Sequence, residues 1–131
     1  MPTNSPQNFI QHVAQLDVTI SQQLNELENE LREFIDDINT HHIAPIKQAR
    51  DKLTASIEDM IDRVKRLNEE NAKEEVIRDQ KSRLSKSQQQ LIQLNNLIRG
   101  YETEITEERD RIRHAQNELL RQSINSPAVT A

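Results

Sequence analysis

Histidine is the residue of this sequence best suited to catalysis or metal binding, and the chain has four: His12, His41, His42 and His114. Either chemistry needs several such groups converging in a concave site. His41 and His42 are adjacent, so a helix would point them to different faces, and no carboxylate stands at a suitable ligand spacing around them. There is no cysteine and only one glycine, hence no thiolate and no glycine-rich phosphate loop. We expect no enzyme activity, no cofactor, no metal site and no small-molecule substrate.

Nucleic-acid binding is the second chemistry that the sequence could support. Five basic residues and a single acidic one give residues 76–99 a net charge of +4; the basic residues are Arg78, Lys81, Arg83, Lys86 and Arg99. No aromatic residue is interleaved with them, and the whole chain carries −5. We expect a solvated helix face that suits an acidic partner. A regulatory coiled coil with weak nucleic-acid binding stays as an alternative.

Two serines precede prolines, and Ser-Pro is the minimal target of proline-directed kinases. These candidate phosphorylation sites are Ser5 and Ser126. Ser5 also suits a helix N-cap, because its hydroxyl can accept a hydrogen bond from a free backbone N–H and proline fits the first helical position. We expect a disordered lead over residues 1–5 and a flexible tail over 125–131.

The composition points to few, long helices with a thin core. The chain has two Phe, one Tyr and no Trp, so it lacks the side chains that carry much of a compact core. It has little turn material, yet its apolar residues recur periodically, which disorder does not require. The N-terminus does not resemble a signal peptide, and no apolar run reaches membrane-spanning length. We expect a soluble intracellular protein, cytoplasmic or nuclear, without membrane insertion.

The apolar residues follow steps of three and four, the spacing of a narrow coiled-coil stripe. Such a stripe needs another helix beside it, so its members are our predicted partner interface. They are Leu24, Leu27, Leu31, Phe34, Ile38, Leu53, Ile57, Met60, Val64, Leu67, Leu84, Leu91, Leu94, Ile98, Tyr101, Ile105, Ile112 and Leu119. Between Leu91 and Ile98 the apolar face broadens, which favours a bundle of three or more helices over a two-stranded coil.

Pro45 marks the clearest interruption of this pattern. Proline removes a backbone donor and clashes with the carbonyl four residues before it, so the chain either turns or kinks there. We favour a break over a smooth kink, with a connection over residues 41–45 between a first helix over 6–40 and a long second helix over 46–124. The predicted fold is therefore all-α: an elongated coiled coil of two long helices separated by a break near Pro45.

The stripe fails a second time around residues 68–77. With no glycine or proline in this segment, we expect a continuous helix of irregular register. A turn at this point would instead produce a three-helix antiparallel bundle, which is the alternative fold.

Four polar residues within the stripe are the predicted specificity determinants. These partner-specifying layers are Asn71, Lys81, Gln88 and Glu108. Identical helices would stack such residues against themselves, and buried polar positions commonly fix register and partner choice. A lysine layer is more easily satisfied by a carboxylate on a different helix. We therefore expect a hetero-oligomer with other α-helical coiled-coil proteins.

These observations favour a structural role. In overall build the chain resembles small coiled-coil subunits of kinetochore, spindle or vesicle-tethering complexes. The resemblance implies a non-enzymatic subunit that acts as scaffold or spacer within a multi-subunit complex. A compact helical adaptor that binds protein ligands is the alternative.

Overall fold

The structure, a computed structural model, describes the backbone of residues 6–124 and the side chains of residues 18–123. Helix α1 spans Pro6–Ile38, a π-helical turn spans Asn39–Ile43, α2 spans Ala44–Glu69 and α3 spans Glu74–Ile124. The predicted all-α class with two long helices is confirmed. The predicted disordered lead and flexible tail lie outside the described residues, as do Ser5 and Ser126.

The chain stays helical through Pro45, so the break and the connection predicted over 41–45 are not observed. The π-turn ends at Ile43, and Pro45 occupies the start of α2. The N–H of Ala44 donates to the carbonyl of Asn39, five residues before it, whereas an α-helix uses the carbonyl four residues before. This wider turn gives the proline ring room, so Ala44 keeps helical dihedrals and the helix continues.

The π-turn also changes the spacing of buried residues. The inward positions of α1 follow steps of three and four up to Ile38, and they resume at Ile43, the last residue of the π-turn, and at Ile46 in α2. The step from Ile38 to Ile43 is five residues, and both side chains are buried. One extra residue in an α-helix would rotate the following face by about 100°. The π-turn absorbs that residue and keeps the apolar side chains facing inward.

The break between the long helices lies at residues 70–73, inside the segment expected to be helical. The backbone N–H of Ala72 donates to the carbonyl of Leu67 at 3.0 Å, and that of Asn71 donates to Asn68 at 3.3 Å. These two bonds form a Schellman motif, a common helix C-terminus in which one residue is left-handed. Asn71 fills that position with φ 54°. A single turn thus interrupts residues 6–124, so the three-helix alternative is not observed.

Helix α3 carries an unbroken heptad from Ile77 to Leu119. We label Ile77 as position a, so that inward residues alternate between a and d. Every a residue is aliphatic: Ile77, Leu84, Leu91, Ile98, Ile105, Ile112 and Leu119. The d residues are mixed in polarity: Gln80, Ser87, Leu94, Tyr101, Glu108 and Ala115. All of these side chains are buried or half-buried, so the apolar contribution of α3 comes mainly from its a row.

The chain divides into two compact units. The turn unit, Asp37–Thr103, pairs α2 and the π-turn with the first part of α3. The end unit, Met1–Asp36 with Glu104–Ala131, pairs α1 with the last part of α3. Among the described helices, none has a stretch long and apolar enough to cross a bilayer.

Candidate interaction site

All eighteen residues of the predicted partner interface are buried or half-buried within this one chain. Leu31, Ile38, Ile57, Ile98 and Ile112 are buried, and the other thirteen are half-buried. The stripe on α3 needs a different helix opposite it, and the first half of the same chain provides that helix. The intramolecular pairing therefore accounts for the stripe without a second chain.

Only one of the four predicted polar layers occupies an inward position. Glu108 is inward and half-buried, whereas Lys81 and Gln88 are exposed. The heptad of α3 uses Gln80 and Ser87 in their place. Asn71 is exposed in the turn, where it provides a left-handed backbone. These three residues are therefore not core layers of the hairpin.

Ion pairs fix the antiparallel register of the end unit. The Arg113 guanidinium donates to both carboxylate oxygens of Glu28, at 2.6 and 3.3 Å. Gln116 Nε2 donates to Glu28 at 2.9 Å and to the carbonyl of Leu24 at 3.5 Å. Arg111 donates to Glu30 at 3.2 Å and also pairs with Glu108. Arginines of α3 thus pair with part of the acidic face of α1 in the same chain.

These contacts shift two carboxyl pKa values downward. Hydrogen bonds from Arg113 and then from Gln116 lower the pKa of Glu28 below its ordinary value. The hydrogen bond from Arg111 lowers the pKa of Glu108 in the same way. The Glu28 and Arg113 side chains remain about half exposed, so solvent screens their attraction. The pair therefore contributes more to register than to stability.

Two contacts other than ion pairs join the helices of the turn unit. Ser87, buried at a d position, donates from its hydroxyl to the Met60 sulfur at 3.7 Å. His42 in the π-turn stacks on Tyr101, with ring centroids 4.9 Å apart and ring planes 24° apart. His41, its neighbour, lies 3.8 Å from Asp37 at the surface. Within the described residues, no three metal-binding side chains come together.

The hairpin leaves large apolar side chains uncovered on α3. Ile92 is 59% exposed and Leu97 is 51% exposed. Ile92 occupies position b and Leu97 position g, which lie on opposite sides of the inward face. Both belong to the segment Leu91–Ile98, whose broad apolar face predicted more than two helices. This exposed pair is the strongest candidate contact for another helix.

The basic cluster of α3 is exposed but partly neutralised. Arg78 lies 3.8 Å from Glu74, and Arg83 lies 3.3 Å from Asp79. Lys81, Lys86 and Arg99 are exposed on the same helix.

Sequence reasoning missed several inward residues. They are Ile43, Arg50, Gln80, Ser87 and Gln116. Ile43 had a signal, because its spacing of three to Ile46 restarts the stripe after the step of five. The polar residues had none, since an inward polar residue looks like any other polar residue in the sequence.

No protein-family model, no curated protein and no solved structure matches this chain.

Proposed function

We propose that this protein is a non-enzymatic structural subunit that assembles with other helical chains into a multi-subunit complex, as scaffold or spacer. The exposure of Ile92 and Leu97 is the observation that supports this proposal. Each side chain exposes a large apolar surface to water in the isolated chain. Burying that surface against another helix would lower the free energy. Apolar positions on both sides of a two-helix seam are typical of bundles with three or more helices.

The mixed polarity of the d row gives a second reason. Ser87 and Glu108 stand where a self-sufficient coiled coil would carry leucine. The hairpin core is therefore thin, and helices draw most of their stability from packing. Assembly with further helices would add that packing. Because the chain has no cysteine, we place this role in a reducing compartment, the cytoplasm or nucleus.

The test compares the complete chain with the double variant Ile92→Ser and Leu97→Ser. A tagged copy of each is expressed in the native cell, and co-purifying proteins are identified by mass spectrometry. We expect the wild type to retain predicted helical proteins and the variant to lose them. The matched control, Gln89→Ser with Gln93→Ser, changes two exposed polar residues of the same helix and should retain the same set. Circular dichroism verifies that all three chains have equal helix content.

A different result would overturn the proposal. If the wild type sediments as a monomer and retains no helical protein, the scaffold role is wrong and the adaptor role gains support. If the Ser variant retains an unchanged set, Ile92 and Leu97 are not the contact.

The nucleic-acid alternative has its own test. Gel-shift titration with labelled duplex DNA and single-stranded RNA at low salt would reveal binding through Arg78 to Arg99. We expect no shift, since Glu74 and Asp79 already neutralise part of the cluster.

A further inference from the structure

A surface groove lies in the turn unit, where the end of α2 meets the beginning of α3. Its volume is about 370 Å³, and its lining residues are Arg63, Arg66, Leu67, Glu70, Val76 and Gln80. Leu67 and Gln80 are half-buried inward residues that form the floor. Val76 is 43% exposed at the side. The groove therefore has an apolar surface with two guanidinium groups around it.

The two arginines of this groove are available to a partner. Each has an aspartate four residues before it, at positions 59 and 62, which is the spacing of a helical ion pair. The same spacing does form ion pairs at Arg78 and Arg83. Among the described residues, neither Arg63 nor Arg66 has an ion pair. Glu70 is the single carboxylate in the lining, so the groove carries net positive charge.

A second groove, in the end unit, provides an internal comparison. Its volume is about 230 Å³, and its lining holds two carboxylates, Glu28 and Asp36, and three arginines, Arg32, Arg109 and Arg113. Glu28 and Arg113 already bind each other there. Its net charge is also positive, and it differs from the first groove in that one of its arginines is already paired with a carboxylate of the same lining.

The exposed side of α3 beyond the first groove suggests the shape of the occupant. Val76 and Leu97 occupy the same heptad position, g, three heptads apart on α3. An α-helix laid along this side would cover both, whereas a short peptide would cover only one.

We propose that this groove and the adjoining g side of α3 bind an acidic amphipathic helix of a partner protein. Apolar residues of that helix cover Leu67, Val76 and Leu97, and its flanking carboxylates pair with Arg63 and Arg66. This inference rests on the proposed function, and it adds the docking surface and the charge of the partner.

The experiment measures binding of two labelled helical peptides to the complete chain by fluorescence anisotropy. Both peptides have about three heptads with leucine at a and d. One carries glutamate at the flanking positions and the other carries lysine. We expect the acidic peptide to bind and the basic one not to bind. Because the arginine contacts are at the surface, raising the salt concentration should weaken binding.

Variants locate the site. Arg63→Gln with Arg66→Gln should weaken acidic-peptide binding about fivefold, as expected for two surface ion pairs. Val76→Ser with Leu97→Ser should weaken it further. The matched control, Arg78→Gln with Arg99→Gln, removes the same charge from position b, on the other side of α3, and should change binding by less than about twofold.

Three results would overturn this inference. The proposed function would still stand if helical proteins co-purify with the wild type and are lost from the Ile92 and Leu97 variant. The first is equal binding of both peptides. The second is an equal loss from the groove variant and its control. The third is a homodimer of the purified chain that dissociates in the Arg63 and Arg66 variant, which would make a second copy the occupant. Loss of native helical partners altogether would instead refute the proposed function.

Discussion

His42 stacks on Tyr101 across the turn unit, so the π-turn is joined to α3 by a ring contact as well as by aliphatic packing. His42 lies in the π-turn, within the five-residue step between the inward residues Ile38 and Ile43. The contact therefore depends on the π-turn. Tyr101 is also one of only three aromatic residues in the chain. The contact thus places one of these few aromatic side chains against the π-turn, the irregular segment between α1 and α2.

A double-mutant cycle should measure this contact. We expect His42→Ala and Tyr101→Leu to be coupled by about 0.5–1.5 kcal/mol in the free energy of unfolding, the range for aromatic pairs. Urea titration followed by circular dichroism provides the four values. His41→Ala combined with Tyr101→Leu is the control, and these two changes should be additive. Additivity in the His42 cycle would show that the stacking contributes nothing.

Insertion of one alanine after Thr40 should destabilise the turn unit strongly. The step between Ile38 and Ile43 would grow from five residues to six, which the π-turn does not absorb. Ile43, now 3% exposed, and the residues after it would rotate away from α3. We expect a loss of at least about 2 kcal/mol, the value of burying one isoleucine. The same insertion within residues 70–73 should cost less, and equal losses would contradict the role assigned to the π-turn.

In the acidic range, the free energy of unfolding should decrease as the pH is lowered, because Glu28 and Glu108 become protonated. Their folded-state pKa values lie below the ordinary 4.5. Their contribution is therefore complete above pH 4.5 and is lost as pH falls through the lowered folded-state values. Thermal unfolding between pH 7 and pH 3 should show a smaller decline for Glu28→Gln with Glu108→Gln than for wild type. Glu26→Gln is the control, and a parallel decline in all three chains would exclude this cause.

Substitutions of Asn71 should follow the rules for a left-handed residue. Asn71→Gly should leave stability unchanged or raise it slightly, because glycine adopts positive φ without steric cost. Asn71→Val should cost about 1–2 kcal/mol, since a β-branched residue disfavours that region. Urea midpoints of the two variants provide the measurement. Tolerance of valine would mean that the turn has a different backbone, and the predicted layer role of Asn71 could be reconsidered.

The inward face could be predicted from the sequence because apolar residues mark it densely. Steps of three and four place all eighteen predicted residues, from Leu24 to Leu119, on inward positions. The a row of α3 is aliphatic throughout, so its phase cannot be mistaken.

The polar inward residues could not be predicted, because the heptad alone does not choose between them. From Leu84 to Leu91, a step of three reaches Ser87 and a step of four reaches Gln88; no apolar residue decides. The same ambiguity affects Gln80 and Lys81. Only pairing with the other helix, as in the bond from Ser87 to Met60, resolves it.

The break between the long helices lies at residues 70–73 and not at Pro45, for a related reason. Proline is a strong breaker in isolation, yet a π-turn accommodates Pro45 when the inward face contains one extra residue. The real turn has neither glycine nor proline, and its signal is Asn71, which also fits a buried polar layer. The local sequence could not distinguish a turn residue from a buried polar layer. The difference lies in a backbone hydrogen bond, from the N–H of Ala72 to the carbonyl of Leu67, which no side chain reveals.

The turn at residues 70–73 also determines which contacts between the helices are close in sequence and which are distant. The contact between Met60 and Ser87 closes a loop of 27 residues, whereas Arg111 reaches Glu30 over 81 and Gln116 reaches Leu24 over 92. Loop-closure entropy favours the shorter loops first, and local contacts form fastest. We therefore expect the turn unit to form first during folding, and the end unit to form last and to open first. Backbone amides of α1 should exchange their hydrogens faster than those of α2.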